Sequence, residues 1–364
     1  MNDHMIVPFL DQSLSHRKLR PDIMASITRV VERADIEPFE EIDFLERQVA
    51  ALCGTRYAVC VNYGVDSLIL ALKALGIGQG DEVITSANGF ISTMMAITRV
   101  GATPVLVDID DTLNIDPNQI EAAVTPKTKA IMPVHYGGRM ARMDLICAIA
   151  ARYHVPVIED ASQAMGAEYN RKRAGGYGQM GCFSFFPSKD VAGSGDGGIV
   201  TTSDETLYKR LLYFRDTTGI ARGATPLDSI QAAILMVKMN CVAEWNNQQR
   251  RIATFYNRKL LKYYHVPLFE LHEEPVFHLY IIRCREMSHR RLQTALLEDG
   301  IDTRIHHPLP VHLQQAYAAL GYRPGSFPKT EAFSKEFLSL PIYPCMPQKH
   351  YKFVADRLVH HMKT

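Results

Sequence analysis

No hydrophobic run in this chain reaches the length that a bilayer-spanning helix needs, so no membrane partner is expected. Neither charge sign is in excess. Forty Lys plus Arg against 39 Asp plus Glu leave a formal net charge of +1. That balance offers no electrostatic case for nucleic acid or an anionic surface. Paired cysteines are missing as well. The seven cysteines (Cys53, Cys60, Cys147, Cys182, Cys241, Cys284 and Cys345) are odd in number and scattered, with no CxxC among them. That argues against a disulfide framework and a zinc ribbon, and for reduced thiols in a cytoplasm. The first residues, MNDHMIVPFLDQS, carry acids early and lack the basic-then-apolar layout of a secretory signal. A cytoplasmic location is therefore expected. No tandem repeat or low-complexity tract breaks the chain.

What remains has the composition of an ordinary globular protein, with 47% hydrophobic and 22% charged residues over 364 positions. That length suits two packed domains. From about 45 to 240, strand and helix periods alternate. Strands are predicted at 57–61, the DEVITS stretch, 103–107, 130–133, 155–159, 181–185 and 199–202. Helices are predicted at 44–53, from Ser67 to Gly76, at 89–99 and at 143–152. Such alternation predicts an α/β domain whose mostly parallel sheet is flanked by helices. The character changes near residue 230. A long helix without glycine or proline is predicted over 229–251 and beyond. After it come a strand-like HLYIIRC, a helix-like RRLQTALLEDG and a proline-dense IHHPLPVH. The expected division is a large domain over 1–240 and a smaller α+β domain over 241–364.

One stretch, 157–198, concentrates chemistry: VIEDASQAMGAEYNRKRAGGYGQMGCFSFFPSKDVAGSGDGG. It holds an acid (Asp160), an amide (Gln163), a hydroxyl (Ser184) and a lysine (Lys189). These groups suit pyridoxal 5'-phosphate. The cofactor needs an amine for its aldehyde, an anion at its ring nitrogen, a partner for its phenolic oxygen and donors for its phosphate. Asp160 ends an apolar strand, where open α/β sheets place ligands. An Asp there serves equally well as a helix N-cap, and Gln163 with Lys189 tips the balance towards chemistry. Most lysines are surface lysines. Lys189 instead sits between a buried-looking strand and a tight glycine loop. The loop is not a phosphate loop, because its lysine precedes the glycines and no GxGxxG opens a helix. A better phosphate cradle is Gly64-Val65-Asp66-Ser67 at a helix N-terminus, though a plain strand-to-helix turn reads the same way. Phe90 is placed to stack on a ring, with core packing its commoner use. His306, His307 and His312 lack the spacing of metal ligands, so no metal is expected.

These stretches resemble the DegT/DnrJ/EryC1 group of sugar aminotransferases, of the type I aminotransferase fold. The likeness runs through ALKALGIGQGDEVI, GATPVLVDID, KTKAIMPVHYGG, VIEDASQAMGAEY, FSFFPSK, GDGG, LDSIQAAIL, HLYIIR, IHHPLPVH and LSLPIYP. It implies Lys189 as the imine lysine, Asp160 at the pyridine nitrogen and Gln163 at the phenolic oxygen. It also implies Ser184 at the phosphate, Phe90 over the ring, a homodimer, an amino acid donor such as glutamate and a keto sugar acceptor. The FFPSK and GDGG forms look most like enzymes of 3-keto nucleotide sugars. His306, His307, Arg283 and the loop near Arg222 are candidate sugar contacts. Several positions depart from the family. Tyr63-Gly64-Val65 replaces Ser-Gly-Thr, Ala224 and Pro226 stand where an Asn and an Arg are usual, Thr218-Gly219 replaces His-Gly, and His306-His307-Pro308 replaces HYP. These changes leave a non-catalytic or regulatory member as an alternative. A keto sugar dehydratase is the other, and it is opposed by Lys189, because the known dehydratase variant carries a histidine there.

Overall fold

The computed structural model describes residues 5–33, 40–222, 225–284 and 287–363, with backbone only over 217–222. Of the departures above, Ala224 and the side chains of Thr218 and Arg222 lie outside the described residues. The chain opens with two helices, α1 (Ser13–Arg33) and α2 (Glu40–Cys53). Four strand–helix units follow: β1 (Tyr57–Val61) with α3 (Gly64–Ala74), β2 (Glu82–Ser86) with α4 (Ile91–Arg99), β3 (Thr103–Val107) with α5 (Pro117–Ala123), and β4 (Thr128–Met132) with α6 (Met143–Tyr153). Then come β5 (Ile158–Asp160), a short hairpin of β6 (Glu168–Tyr169) and β7 (Lys172–Arg173), β8 (Met180–Ser184) and β9 (Gly198–Thr202).

The main sheet runs β3-β2-β4-β5-β8-β9-β1, with β4 joined to β5 through parallel bridges Ile131–Val157 and Val134–Asp160. β9 runs against both its neighbours, and the other pairings are parallel. The expected mostly parallel sheet is what forms. Its strands include short apolar runs such as YAVCV at the β1 edge and MGCFS within the sheet, nearly all buried, as a sheet between helix layers requires. Boundaries shift by up to four residues, the largest at α2, which begins at Glu40. One shift matters for the site: the helix expected from Ser67 begins at Gly64, so the glycine turn is itself the first helical turn.

α7 (Glu205–Arg222) leads to α8 (Ser229–Met239) and α9 (Val242–Leu260). The single helix expected over 229–251 is therefore two, broken at Asn240-Cys241. No glycine or proline marks the break. Packing explains it, because α8 lies on α1 and α2 whereas α9 runs on to α12 (Gln348–His361). α9 bridges two cores. Val242 and Trp245 join the core under the main sheet, and Ile252, Tyr256 and Leu260 join a second core. That second core gathers β11 (Tyr280–Arg283), α10 (His289–Glu298), β12 (Phe337–Leu340) and α12. Val7 also packs there and bridges Ile301, so the start of the chain crosses to the C-terminal third. β10 (Glu273–Glu274) pairs with β6, and α11 (Pro328–Glu336) docks its N-terminus on Asp108 at the end of β3. Asp108 Oδ1 accepts from the Thr330 backbone N–H at 2.9 Å and hydroxyl at 2.7 Å, which ties the two regions by capping.

Candidate active site

β8 ends at Ser184, and the next five residues turn so that Lys189 N–H donates to Phe186 O at 2.8 Å. Three parts of the protein stake this loop. Gln12 Nε2, just before α1, donates to Pro187 O at 2.5 Å and Lys189 O at 2.9 Å. Gln231 Oε1 on α8 accepts from Ser194 N–H at 2.8 Å and Gly195 N–H at 3.0 Å. Lys238 Nζ donates to Ala192 O at 2.5 Å and lies 2.7 Å from His16 Nε2. Burial pushes the Lys238 amine down to about 8. The loop is thus fixed by side chains 36 or more positions away, none marked by a motif beyond the QAA of α8. Lys189 itself is pulled below the usual lysine range by burial, with Asp160 and Asp190 opposing the shift. A partly desolvated amine spends more of its time neutral, as a nucleophile must.

Asp160 is 2% exposed at the carboxyl end of β5. No helix follows it, so the capping role is excluded. Its Oδ2 accepts from Thr93 Oγ1 at 2.6 Å, and its Oδ1 from the Ser162 hydroxyl at 2.5 Å and N–H at 3.2 Å. Those donors fix the direction of the carboxylate. Gln163 Oε1 accepts from Gly137 N–H at 2.7 Å, which turns its amide so that the NH2 is left to donate. Gly137 has φ +64°, and a Cβ on the adjacent Gly138 would lie 2.9 Å from His278 N, so this paired-glycine turn admits no side chains. Behind Asp160, Glu159 is fully buried and accepts from Gly175, Tyr177 and Gly178 N–H groups and from His135. His135 Nδ1 accepts from Ala141 N–H, so its proton sits on Nε2 towards Glu159.

The cradle lies across the sheet edge. Asp66 N–H donates to Tyr63 O at 3.1 Å and Ser67 N–H to the same oxygen at 3.4 Å. In the first turn only Gly64 and Val65 keep N–H groups without an intrahelical acceptor. The Asp66 carboxyl is buried and pushed up to about 6 by that burial, with Arg99 and Lys73 pulling it down. Ser184 packs against Gly64 so closely that a Cβ there would lie 2.4 Å from Ser184 Oγ and 3.2 Å from its Cα. Gly198 is equally constrained, since its Cβ would meet Tyr63 O at 2.6 Å. The GDGG run therefore lets β9 pass beneath the cradle. We expect Gly64→Ala to weaken pyridoxal phosphate binding by about 10- to 100-fold, the cost of a lost charge-assisted hydrogen bond. Titration of the cofactor-free variant reads this directly, and an unchanged affinity would remove Gly64 from the site.

On the open side, Phe90 is half-exposed at the start of α4 and meets the His307 ring edge-on at 5.6 Å. His307 also lies 5.9 Å from the Tyr136 ring. His306 contacts Phe9, and its Nε2 is buried with no hydrogen-bond partner among the described residues. Burial depresses His306 to about 3, helped by His307, His278, Arg304 and Lys189, and His307 to about 4. Both rings are neutral at pH 7, suited to sugar hydroxyls rather than phosphate. Arg283 is not brought to Lys189. It pairs with Glu336, lies over the Phe337 ring at 5.8 Å and lines a neighbouring cavity of about 500 Å³. His312 is also structural, 3.1 Å from Glu331. The groups that sequence reasoning missed are Thr93, Ser162, Asp190, His278, Gln231 and Lys238, which act through contacts that no local pattern announces.

The sequence model of the DegT/DnrJ/EryC1/StrS aminotransferase family matches residues 17–359. The chain belongs to that family. It is 41% identical to a Geobacillus stearothermophilus protein described as a pleiotropic regulatory protein, over 97% of this chain and 98% of that one. It is 38% identical to the dTDP-3-amino-3,4,6-trideoxy-alpha-D-glucose transaminase of Streptomyces venezuelae, over 96% of this chain and 94% of the other. The crystal structure of S. venezuelae DesV in complex with a ketimine intermediate superposes with a TM-score of 0.94 at 36% identity, covering 99% of each chain. The protein is a sugar aminotransferase, and its cofactor is pyridoxal 5'-phosphate. The residues fit that cofactor: a glycine-opened cradle with Ser184, an oriented anion at Asp160, a donor amide at Gln163 and a desolvated amine at Lys189.

Proposed function

We propose that this aminotransferase moves an amino group from an amino acid, glutamate by preference, to a nucleotide-linked 3-keto hexose in a cytoplasm. The observation that carries the reading is the convergence of Asp160, Gln163 and Lys189 from separate turns on one crevice. The acceptor class draws support from the Streptomyces transaminase, named for a 3-amino sugar. The neutral pair His306 and His307 supports a hydroxylated ligand at this end of the site.

Bound pyridoxal phosphate supplies an electrophilic carbon and an electron-accepting ring. Ser184 and the N–H groups of Gly64 and Val65 would hold its phosphate, with the dipole of α3 adding to their pull. Asp160, oriented by Thr93 and Ser162, would hold the proton on the ring nitrogen. Gln163 would donate to the phenolic oxygen, and Phe90 would cover one face of the ring. Lys189 Nζ would take the proton from the donor's α-carbon and hold it beside the reacting carbon, and would give a proton back when the sugar is aminated. One amine would serve both halves.

We also propose a homodimer. Tyr63, Phe90 and Phe186 are 46%, 48% and 50% exposed around the cofactor crevice, and a second copy seated there would cover them. A solution mass of one chain would count against it.

Adding glutamate to the cofactor-loaded protein should bleach its visible band, and a 3-keto nucleotide sugar should restore it. A band untouched by any amino acid would favour the regulatory reading, which the description of the Geobacillus relative keeps in view.

A further inference from the structure

The chemistry above leaves Asp190 unused, although it follows the lysine directly. Asp190 is where the Lys189 loop meets the C-terminal third of the chain. Its Oδ2 lies 3.2 Å from His278 Nδ1, and its Oδ1 accepts from Gln249 Nε2 at 3.2 Å. Both partners are well covered, with side chains 14% and 11% exposed for Asp190 and His278. The fully buried Gln249 spends its second amide hydrogen on Phe277 O at 3.2 Å, next to His278. One glutamine therefore clamps Asp190 and the lead into β11 together. Lys189, Asp190 and His278 line a shared void of about 20 Å³, with Ser162, Gln163 and Asn246 around it. That is room for one water.

We propose that Asp190 and His278 act as one positioning unit: the carboxylate holds the Lys189 amine in its field, and His278 makes the strength of that field depend on where the C-terminal third sits. The use of this unit rests on the transaminase reading; its existence does not. The amine must be neutral to attack and charged once it has taken the α-proton, so its proton affinity is the quantity to tune. The charged and titratable groups facing it are Asp160, Asp190 and His306, with His278, His307 and Arg304 around His306. With the cofactor bound, Asp160 would be taken up by the ring nitrogen. Asp190 would then be the carboxylate left to act on the lysine, and α9 and the lead into β11 carry its partners.

The test uses the full chain without cofactor or sugar. The rate at which acetic anhydride labels Lys189, followed by mass spectrometry against pH, gives the apparent pKa of the amine. Asp190→Asn should lower it by about one unit, a roughly tenfold gain in reactivity near pH 8. His278→Ala should raise it, because the carboxylate is no longer shared, and should add nothing in the Asp190→Asn background. Asp190→Ser carries the same expectation if the amide variant fails to fold. A Lys189 titration unmoved by either Asp190 variant overturns the proposal. So does a His278→Ala effect of equal size with and without the carboxylate. Neither result bears on the glutamate experiment, which can fail on its own.

Discussion

Lys189→Ala should abolish transamination, with a fall in turnover of about 10⁴-fold or more. The reason is that one amine is proposed for two jobs. It would be the nucleophile that anchors the cofactor and the base that moves the α-proton, each worth several powers of ten. Nothing nearby replaces it. Lys238 approaches the same loop, but its Nζ is committed to Ala192 O and His16 on the far side of the backbone. His306 is depressed to about 3 and is a poor base at neutral pH. The variant should still bind the cofactor without a covalent bond, because Ser184, the Gly64 cradle and Asp160 remain. The checks are single-turnover kinetics with glutamate, and borohydride treatment followed by peptide mapping. Label trapped on another lysine, with turnover kept, would remove Lys189 from its role.

Asp160→Asn should lower kcat on the order of 10³-fold while leaving the fold intact. The amide keeps the size of the carboxylate and can still pair with Ser162 and Thr93. It lacks the charge that holds a proton on the ring nitrogen. Without that proton the ring accepts electrons poorly, so the loss falls on the α-proton step. A deuterium isotope effect from α-deuterated glutamate should therefore grow in the variant. The urea midpoint of the cofactor-free protein should stay close to wild type. Activity within threefold of wild type would show that the carboxylate does not set the protonation of the ring.

The alternation of short apolar strands with helices was legible because most strands of the main sheet are buried on both faces, so they read as short apolar runs between the helices. The positions of Asp160 and Lys189 were legible for a related reason. Both sit where a buried strand ends, and strand ends are marked by a change from apolar to polar residues. The cradle sequence does not say which N–H groups the turn itself consumes, and the Asp66 N–H is one of them. Arg283 misled because its charge is neutralised by Glu336, 53 positions further on. The break between α8 and α9 carried no local sign. Either half alone is good helix, and the division comes from two cores that pull in different directions.

The sequence by itself determined the fold class, and it singled out the lysine, the acid and the amide proposed for the cofactor site, because these depend on residue type at the ends of locally recognisable elements. Only the tertiary structure decided how each is tuned. Thr93 reaches Asp160 across 67 positions, Gln12 reaches Lys189 across 177, and His278 reaches Asp190 across 88. Hydrogen bonds of that kind depend on which loops the sheet order brings together, and no spacing along the chain encodes that order.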